Sequence, residues 1–257
     1  MGAWMHALMR WLSSMLAHEE ETSKTLVLVR HSESTHNVSD VHAHGDTGMD
    51  ESLFDAQLTP TGEQQAAALA ERFEMERIEL VLVSPLSRAI QTYLGAFPPG
   101  GRRAHAAPRV EVCPLAREHL TDSCDIGSAP AELQARFPSL DFSGLHPVWW
   151  YVDDETSTTD ARDSRLRYAQ FGLIEPEPQF IARVDAFAAE LRRRPERRIA
   201  VFGHSDFFNA LLERHLRTPN RWLANGEVLE VALPPIGASG RVDDRDFSHG
   251  HAHAAAG

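Results

Sequence analysis

Five short apolar runs punctuate this 257-residue chain, and each is bounded by turn or helix-start residues. Residues 25–29 (TLVLV), 79–83 (ELVLV), 109–112, 198–202 and roughly 227–233 read as strands. The runs at 25–29, 79–83 and 198–202 are continuously apolar rather than alternating, the pattern of strands buried on both faces. Between them the period changes to that of a helix. Residues 59–75 predict a helix with Thr59 as N-cap, Pro60 in the first turn, and Ala66, Leu69, Ala70 and Phe73 on one face. Ser84-Pro85 repeats that signal and predicts a second helix, bearing Arg88. Phe180, Val184, Phe187 and Leu191 mark a third, strongly amphipathic helix. Phe208, Leu211, Leu212 and His215 mark another, beginning near 205. Alternating strands and helices predict an α/β fold, a three-layer α/β/α sandwich around a central, mostly parallel sheet.

The periodicity fades between about 121 and 175. That stretch holds Pro130, Pro138, Pro147, the pair Trp149-Trp150 and acidic residues at 153–155. It reads as an insertion folding over the site, with the tryptophan pair packing rather than serving as a ligand platform. At the N-terminus, Trp4, Leu8, Trp11 and Met15 recur at helical spacing, and no acidic residue precedes Glu19. Residues 1–22 therefore read as an amphipathic extension packed on the domain or on a partner. An interfacial membrane helix and an organelle presequence are its rivals. Residues 23–235 form one domain, and 236–257 a Gly-, Ala- and His-rich disordered tail.

Composition narrows the function classes. A net charge of -12 leaves no general basic face for nucleic acid. Two cysteines, Cys113 and Cys124, make no disulfide framework, which favours a reducing, cytoplasmic location. No stretch is long and apolar enough to span a bilayer. Oligomeric state is not encoded in any visible pattern.

The chemistry-bearing residues fall at strand ends. Arg30-His31 directly follows 25–29, and His204 directly follows 198–202 in VFGHSDFF. Open α/β sheets bind ligands outside the carboxyl ends of their strands. Arg88 lies in the first turns of a helix opening at the same rim. The backbone N–H of Ser205 begins another helix, whose dipole favours negative charge. A neutral imidazole, with a reference pKa of about 6.5, is a competent nucleophile near neutral pH. Two imidazoles and two guanidinium groups at one rim suit phosphoryl transfer, with His31 as nucleophile and the arginines on the phosphate oxygens.

LVLVRHSES at 26–34, then Asn37, SPLSRAIQT at 84–92 and FGHSDFF at 202–208 together resemble the histidine phosphatase superfamily, in its phosphoglycerate-mutase-like branch 1. The resemblance spans residues 24 to 232. It implies phosphorylation of His31, a phosphate pocket formed by Arg30, Arg88 and His204 and also lined by Asn37, and no metal or organic cofactor. It also implies an acidic proton donor after the third strand. Glu118 fits that place best, with Asp122 and Asp125 as fallbacks; pairing of Glu118 with Arg117 is the structural alternative. The family's Arg-His-Gly is Arg-His-Ser here, so Ser32 departs from the pattern. DAQLTPTGEQQ at 55–65 and CDIGS at 124–128 look like a subgroup of mutase-like proteins. The segment after Glu118 lacks the substrate-holding region of glycolytic mutases. The expectation is thus an acid-phosphatase-like, metal-independent phosphomonoesterase acting on a small phosphorylated metabolite. A mutase-type phosphotransferase and a non-catalytic phospho-ligand-binding module are the alternatives.

HAHGD at 42–46 mimics the start of a di-zinc hydrolase motif, through His42, His44 and Asp46. Thr47 stands where the next histidine would be needed, and no other ligands have convincing spacing. The tail string HGHAH reads as solvated rather than metal-binding.

Overall fold

A computed structural model describes residues 24–38, 51–72, 77–98, 108–153 and 159–235. The amphipathic pattern in 1–22, the HAHGD string and the tail from 236 lie outside the described residues.

Among the described residues, five strands form one sheet: β1 (Lys24–Arg30), β2 (Leu80–Val83), β3 (Arg109–Val112), β4 (Arg198–Gly203) and β5 (Val228–Leu233), in the order β3-β2-β4-β1-β5. All neighbours run parallel except β5, which pairs antiparallel with β1 along one edge. The α-helices among the described residues are α1 (Pro60–Leu69), α2 (Ser87–Ala96), α3 (Pro130–Arg136), α4 (Ala161–Phe171), α5 (Glu177–Arg193) and α6 (Ser205–His215).

Successive strand residues point to opposite faces, so each continuous apolar run feeds two cores. Val27, Val29, Val81, Val83, Ala200 and Phe202 face one way, onto Leu69 of α1 and Ile90 and Tyr93 of α2. Leu26, Leu28, Leu80, Leu82, Ile199 and Val201 face the other way, onto Val184 and Phe187 of α5 and Phe207 and Leu211 of α6. The three-layer arrangement expected from the sequence is therefore present.

Residues between 120 and 168 join the first of these cores through Leu120, Ile126, Leu133, Phe142, Trp149, Trp150 and Tyr168. Both tryptophans are buried. Trp149 Nε1 donates to the Ser128 carbonyl at 2.9 Å, and Trp150 Nε1 to Ser164 Oγ at 2.9 Å. They pack, as expected.

Two helical expectations are corrected. The first helix ends at Leu69 rather than 75. Beyond it, Ala70 and Arg72 donate to Ala67 and Leu69, the tighter i to i−3 pattern of a closing turn. The second helix starts at Ser87, with Leu86 in the cap position and Ser84 outside it. Asp55 supplies the missing cap: its Oδ1 accepts from Ser87 N at 2.7 Å and its Oδ2 from Ser87 Oγ at 2.6 Å. Thr59 does cap α1, accepting from Gly62 N at 3.0 Å. Gly62 has to be glycine, because a Cβ there would lie 1.9 Å from the Glu33 carbonyl oxygen. The α1 N-terminus thereby seats directly on the loop that follows His31.

Candidate active site

Strand register brings the two histidines together. In the β1–β4 ladder Arg30 is the partner of Gly203, so each strand delivers a histidine one residue later, at adjacent positions. His31 N donates to the Gly203 carbonyl at 2.9 Å, continuing the ladder one step. The ring centroids of His31 and His204 are 5.2 Å apart and tilted by 54°. That separation is close to the spacing of neighbouring strands, about 4.8 Å. On the other side of β4, Val83 of β2 pairs with Phe202, which sets Ser84 beside His204.

Each ring has a fixed orientation. His31 Nδ1 lies 2.8 Å from the Ser32 carbonyl oxygen. A carbonyl only accepts, so Nδ1 carries the hydrogen and the Nε2 lone pair is left for a substrate. His204 Nε2 lies 2.8 Å from Ser84 Oγ. Ser84 is thus a site residue rather than the helix cap its sequence suggests. Burial, then the charges of Arg88 and Arg30, hold the His31 imidazole well below its usual pKa. Burial, Arg88, His31 and Arg30 do the same to His204. Both rings are neutral at pH 7, the state a nitrogen nucleophile needs.

Arg88, in the first turn of α2, is 2 % exposed. Its Nη1 donates to the Cys124 carbonyl at 2.6 Å and its Nη2 to Asp125 Oδ1 at 2.7 Å. Arg30 Nη1 donates to the Leu223 carbonyl at 2.7 Å. The Nε atoms of both arginines, Ser32 Oγ and His204 Nδ1 are buried polar atoms with no hydrogen-bond partner among the described residues. Buried polar groups are ordinarily satisfied, and three of these four atoms belong to Arg30, Arg88 and His204, the residues that the resemblance assigns to an anion. Ser32, the departure from the family pattern, adds a hydroxyl to that set.

Glu118 follows the 3-10 turn Pro114–Ala116 and is buried. Its Oε1 accepts from the N–H groups of His119 (3.0 Å) and Phe207 (2.9 Å), and its Oε2 from Asp206 N–H (3.2 Å). Burial, then the Asp125 carboxylate, hold the Glu118 carboxyl above its usual range, against the pull of the His119 and Phe207 amides and of Arg88. Pairing of Glu118 with Arg117 does not occur; Arg117 bonds Glu175 at 2.9 Å. The fallback acids are otherwise engaged. Asp122 accepts from Ser123 N at 2.7 Å within a small capping turn, and Asp125 is bound to Arg88.

Asn37 and Ser205 are bonded to neighbouring residues. Asn37 is exposed, and its Oδ1 accepts from Ser34 N (3.0 Å), Ser34 Oγ (2.9 Å) and Asn225 Nδ2 (3.1 Å), so it braces the loop after His31. Ser205 opens α6, with its hydroxyl 3.4 Å from Asp206 Oδ1.

Several supporting residues carry no sequence signal. Arg183 on α5 is buried; it donates to the carbonyls of Leu115 (3.0 Å), Arg117 (2.7 Å) and Glu118 (3.1 Å), and pairs with Glu175 at 2.7 Å. It therefore fixes the backbone that presents Glu118. Asn225 donates to the His31 carbonyl at 3.1 Å. Nothing local distinguishes Arg183 from the other arginines of α5. Asp206 could have been noticed, since it follows His204 by two residues in a helix's first turn.

Among the described residues, no cluster of three or more His, Cys, Asp or Glu side chains could hold a metal ion. No helix among them is long and apolar enough to cross a membrane.

The sequence profile of the histidine phosphatase superfamily (branch 1) matches residues 26–110. A phosphoglycerate mutase-like protein of Arabidopsis thaliana is 31% identical over 221 residues, covering 74% of this chain and 73% of its own. A Schizosaccharomyces pombe protein named as a probable phosphatase is 31% identical over 125 residues, covering 48% of this chain and 54% of its own. Among solved structures, the alpha-ribazole phosphatase of Shigella flexneri superposes with a TM-score of 0.50 at 18% identity, covering 82% of this chain and 94% of that one; it shares the fold.

Proposed function

The chain belongs to branch 1 of the histidine phosphatase superfamily, and from that premise we propose that it hydrolyses a small phosphomonoester through a covalent phosphohistidine. His31 Nε2 attacks phosphorus in line with the departing oxygen. Arg30, Arg88 and His204 stabilise the charge on the transferring phosphoryl group. A carboxyl of the cluster headed by Glu118 protonates the leaving oxygen, and the same cluster then takes a proton from the water that attacks the N–P bond. No step in this sequence calls for a metal ion or an organic cofactor.

The observation that carries the reading is the 5.2 Å approach of two neutral imidazoles beside the unpartnered guanidinium Nε atoms of Arg30 and Arg88. Hydrolysis is favoured over mutase-type transfer because water alone has to reach the phosphohistidine. A transferase must also retain and re-present a phosphorylated intermediate, and the segment after Glu118 lacks the mutase holding region.

The test is turnover of 4-nitrophenyl phosphate, with trapping of acid-labile phosphate on the protein. Wild-type protein should hydrolyse the ester and carry the label, and His31→Ala should do neither. Activity of His31→Ala near the wild-type level would refute the assignment of the nucleophile. Absence of hydrolysis in wild type, with retained phosphate-ester binding, would leave a binding module.

A further inference from the structure

We propose, building on the phosphatase reading and on Glu118 as its acid, that Glu175 and Arg183 are positioning residues for proton transfer: their buried pair sets where the Glu118 carboxyl stands against the departing oxygen. Glu175 is 2 % exposed and Arg183 7 %. Buried ion pairs of this kind often stabilise a fold no better than apolar side chains of similar volume. What this pair supplies is a fixed geometry.

A guanidinium carries five N–H donors in a rigid fork, and Arg183 uses all five. Its Nε donates to Glu175 Oε1 at 3.0 Å and its Nη2 to Glu175 Oε2 at 2.7 Å. The other three bonds go to the carbonyls of Leu115 (3.0 Å), Arg117 (2.7 Å) and Glu118 (3.1 Å), along the turn that carries the acid. Glu175, from the segment between α4 and α5, grips the next stretch of that turn. Its Oε1 also accepts from Arg117 Nη2 at 2.9 Å, its carbonyl from His119 Nε2 at 2.8 Å, and its N–H donates to the Leu120 carbonyl at 2.8 Å. Every residue from 117 to 120 is thus tied to Glu175 or Arg183. The His119 ring also stacks on Phe180 of α5, with centroids 4.1 Å apart and planes within 4°.

The carboxyl end is held from α6. Glu118 Oε1 accepts from His119 N–H and Phe207 N–H, and Oε2 from Asp206 N–H, so one lone pair of Oε2 is open to a proton. The Arg183 Cζ lies 5.6 Å from the centroid of the Phe207 ring. One guanidinium therefore touches both the backbone of the acid and the residue whose amide holds its carboxyl. As the N–P bond forms at His31 and the P–O bond breaks, the proton on Oε2 passes to the departing alkoxide oxygen and leaves Glu118 as the carboxylate. Such a transfer needs a heavy-atom reach of about 2.6–3.2 Å, and a misplacement of about 1 Å can cost on the order of 10²-fold. Arg183 also acts on His204 through its charge; a loss by that route would fall on every ester alike.

The experiment compares 2-glycerol phosphate, whose alkoxide leaves poorly without a proton, with 4-nitrophenyl phosphate, whose phenolate leaves readily. Glu118→Gln sets the scale and should depress the alkyl-to-aryl ratio of kcat/KM by about 100-fold or more, the usual range for loss of a general acid. Glu175→Gln should depress the ratio on the order of 10-fold, and Glu175→Asp should restore part of it. Arg183→Lys should act like Glu175→Gln, because three ammonium donors cannot hold three carbonyls and Glu175 together. Added to Glu118→Gln, none of these changes should lower the ratio further, since all act through that carboxyl. Urea unfolding identifies the folded variants; the charge-retaining Glu175→Asp and Arg183→Lys carry the test if Glu175→Gln does not fold. An unchanged ratio in the folded variants, equal loss on both esters, or a further fall in the Glu118→Gln background would overturn the proposal. If Glu118→Gln itself spares the ratio, the acid lies elsewhere and the proposal fails while the phosphatase reading stands. If wild type cleaves neither ester and takes up no phosphate, the phosphatase reading itself fails, and this inference falls with it.

Discussion

Arg88 illustrates how much one side chain can be asked to do. Two of its nitrogens are held by the Cys124 carbonyl and by Asp125, and its Nε is left over. The guanidinium is therefore a structural ion pair and a candidate phosphate ligand at once. Removing it outright confounds the two roles. Arg88→Ala leaves Asp125 buried and unpaired, which typically costs about 3–5 kcal/mol of stability. Arg88→Lys keeps a charge near Asp125 but loses the planar fork. The lysine variant should unfold in urea at a midpoint closer to wild type than the alanine variant. Its kcat/KM should still fall on the order of 10²-fold, the scale for losing one aligned electrostatic donor. Equal stability losses in the two variants would argue against the Asp125 pairing as a major contributor.

At the scale of elements, Thr59-Pro60 and Ser84-Pro85 look alike in sequence and behave differently. Thr59 caps its helix, whereas the Ser84 hydroxyl turns to His204 and the cap of α2 comes from Asp55, far back in the chain. Asp55 is buried and also accepts from Arg136 at 2.8 Å. Asp55→Ala should lower stability by at least the 0.5–2 kcal/mol of a lost cap, roughly, as measured by chemical unfolding. Because α2 carries Arg88 in its first turn, KM should rise as well; an unchanged KM would show that the cap does not position Arg88. The contrast shows what a local reading can reach. The strands at 25–29, 79–83 and 198–202 were legible because continuous apolar runs are a local property, and the strand-end positions of His31 and His204 followed from them. The second helix's cap, the Arg183 clamp on the Glu118 backbone and the Asp125–Arg88 pair depend on residues brought together by the fold. Helix α4 was hidden for another reason: ARDSRLRYAQF is mostly polar, with only Ser164 and Tyr168 buried, so it lacks an apolar stripe.

For the whole molecule, the central charge pattern makes stability depend on pH. His31 is held neutral when folded, by burial and then by Arg88 and Arg30, and titrates near 6.5 when unfolded. Below about pH 6.5 the unfolded chain therefore binds a proton that the folded one refuses, and stability falls with pH by about 1.4 kcal/mol per unit for this group. His31→Asn removes that contribution. The difference in unfolding free energy between variant and wild type should thus move in the variant's favour by about 1.4 kcal/mol per unit as pH drops below 6.5. A difference independent of pH would mean that the imidazole is protonated in the folded protein. The β1–β4 register carries a kinetic corollary. The two rings meet only because Arg30 sits opposite Gly203, far from it along the chain. A slip of two residues along that ladder would carry them apart by about 7 Å. Recovery of turnover during refolding is consequently a clock for a long-range closure, and it cannot run ahead of the joining of these two strands.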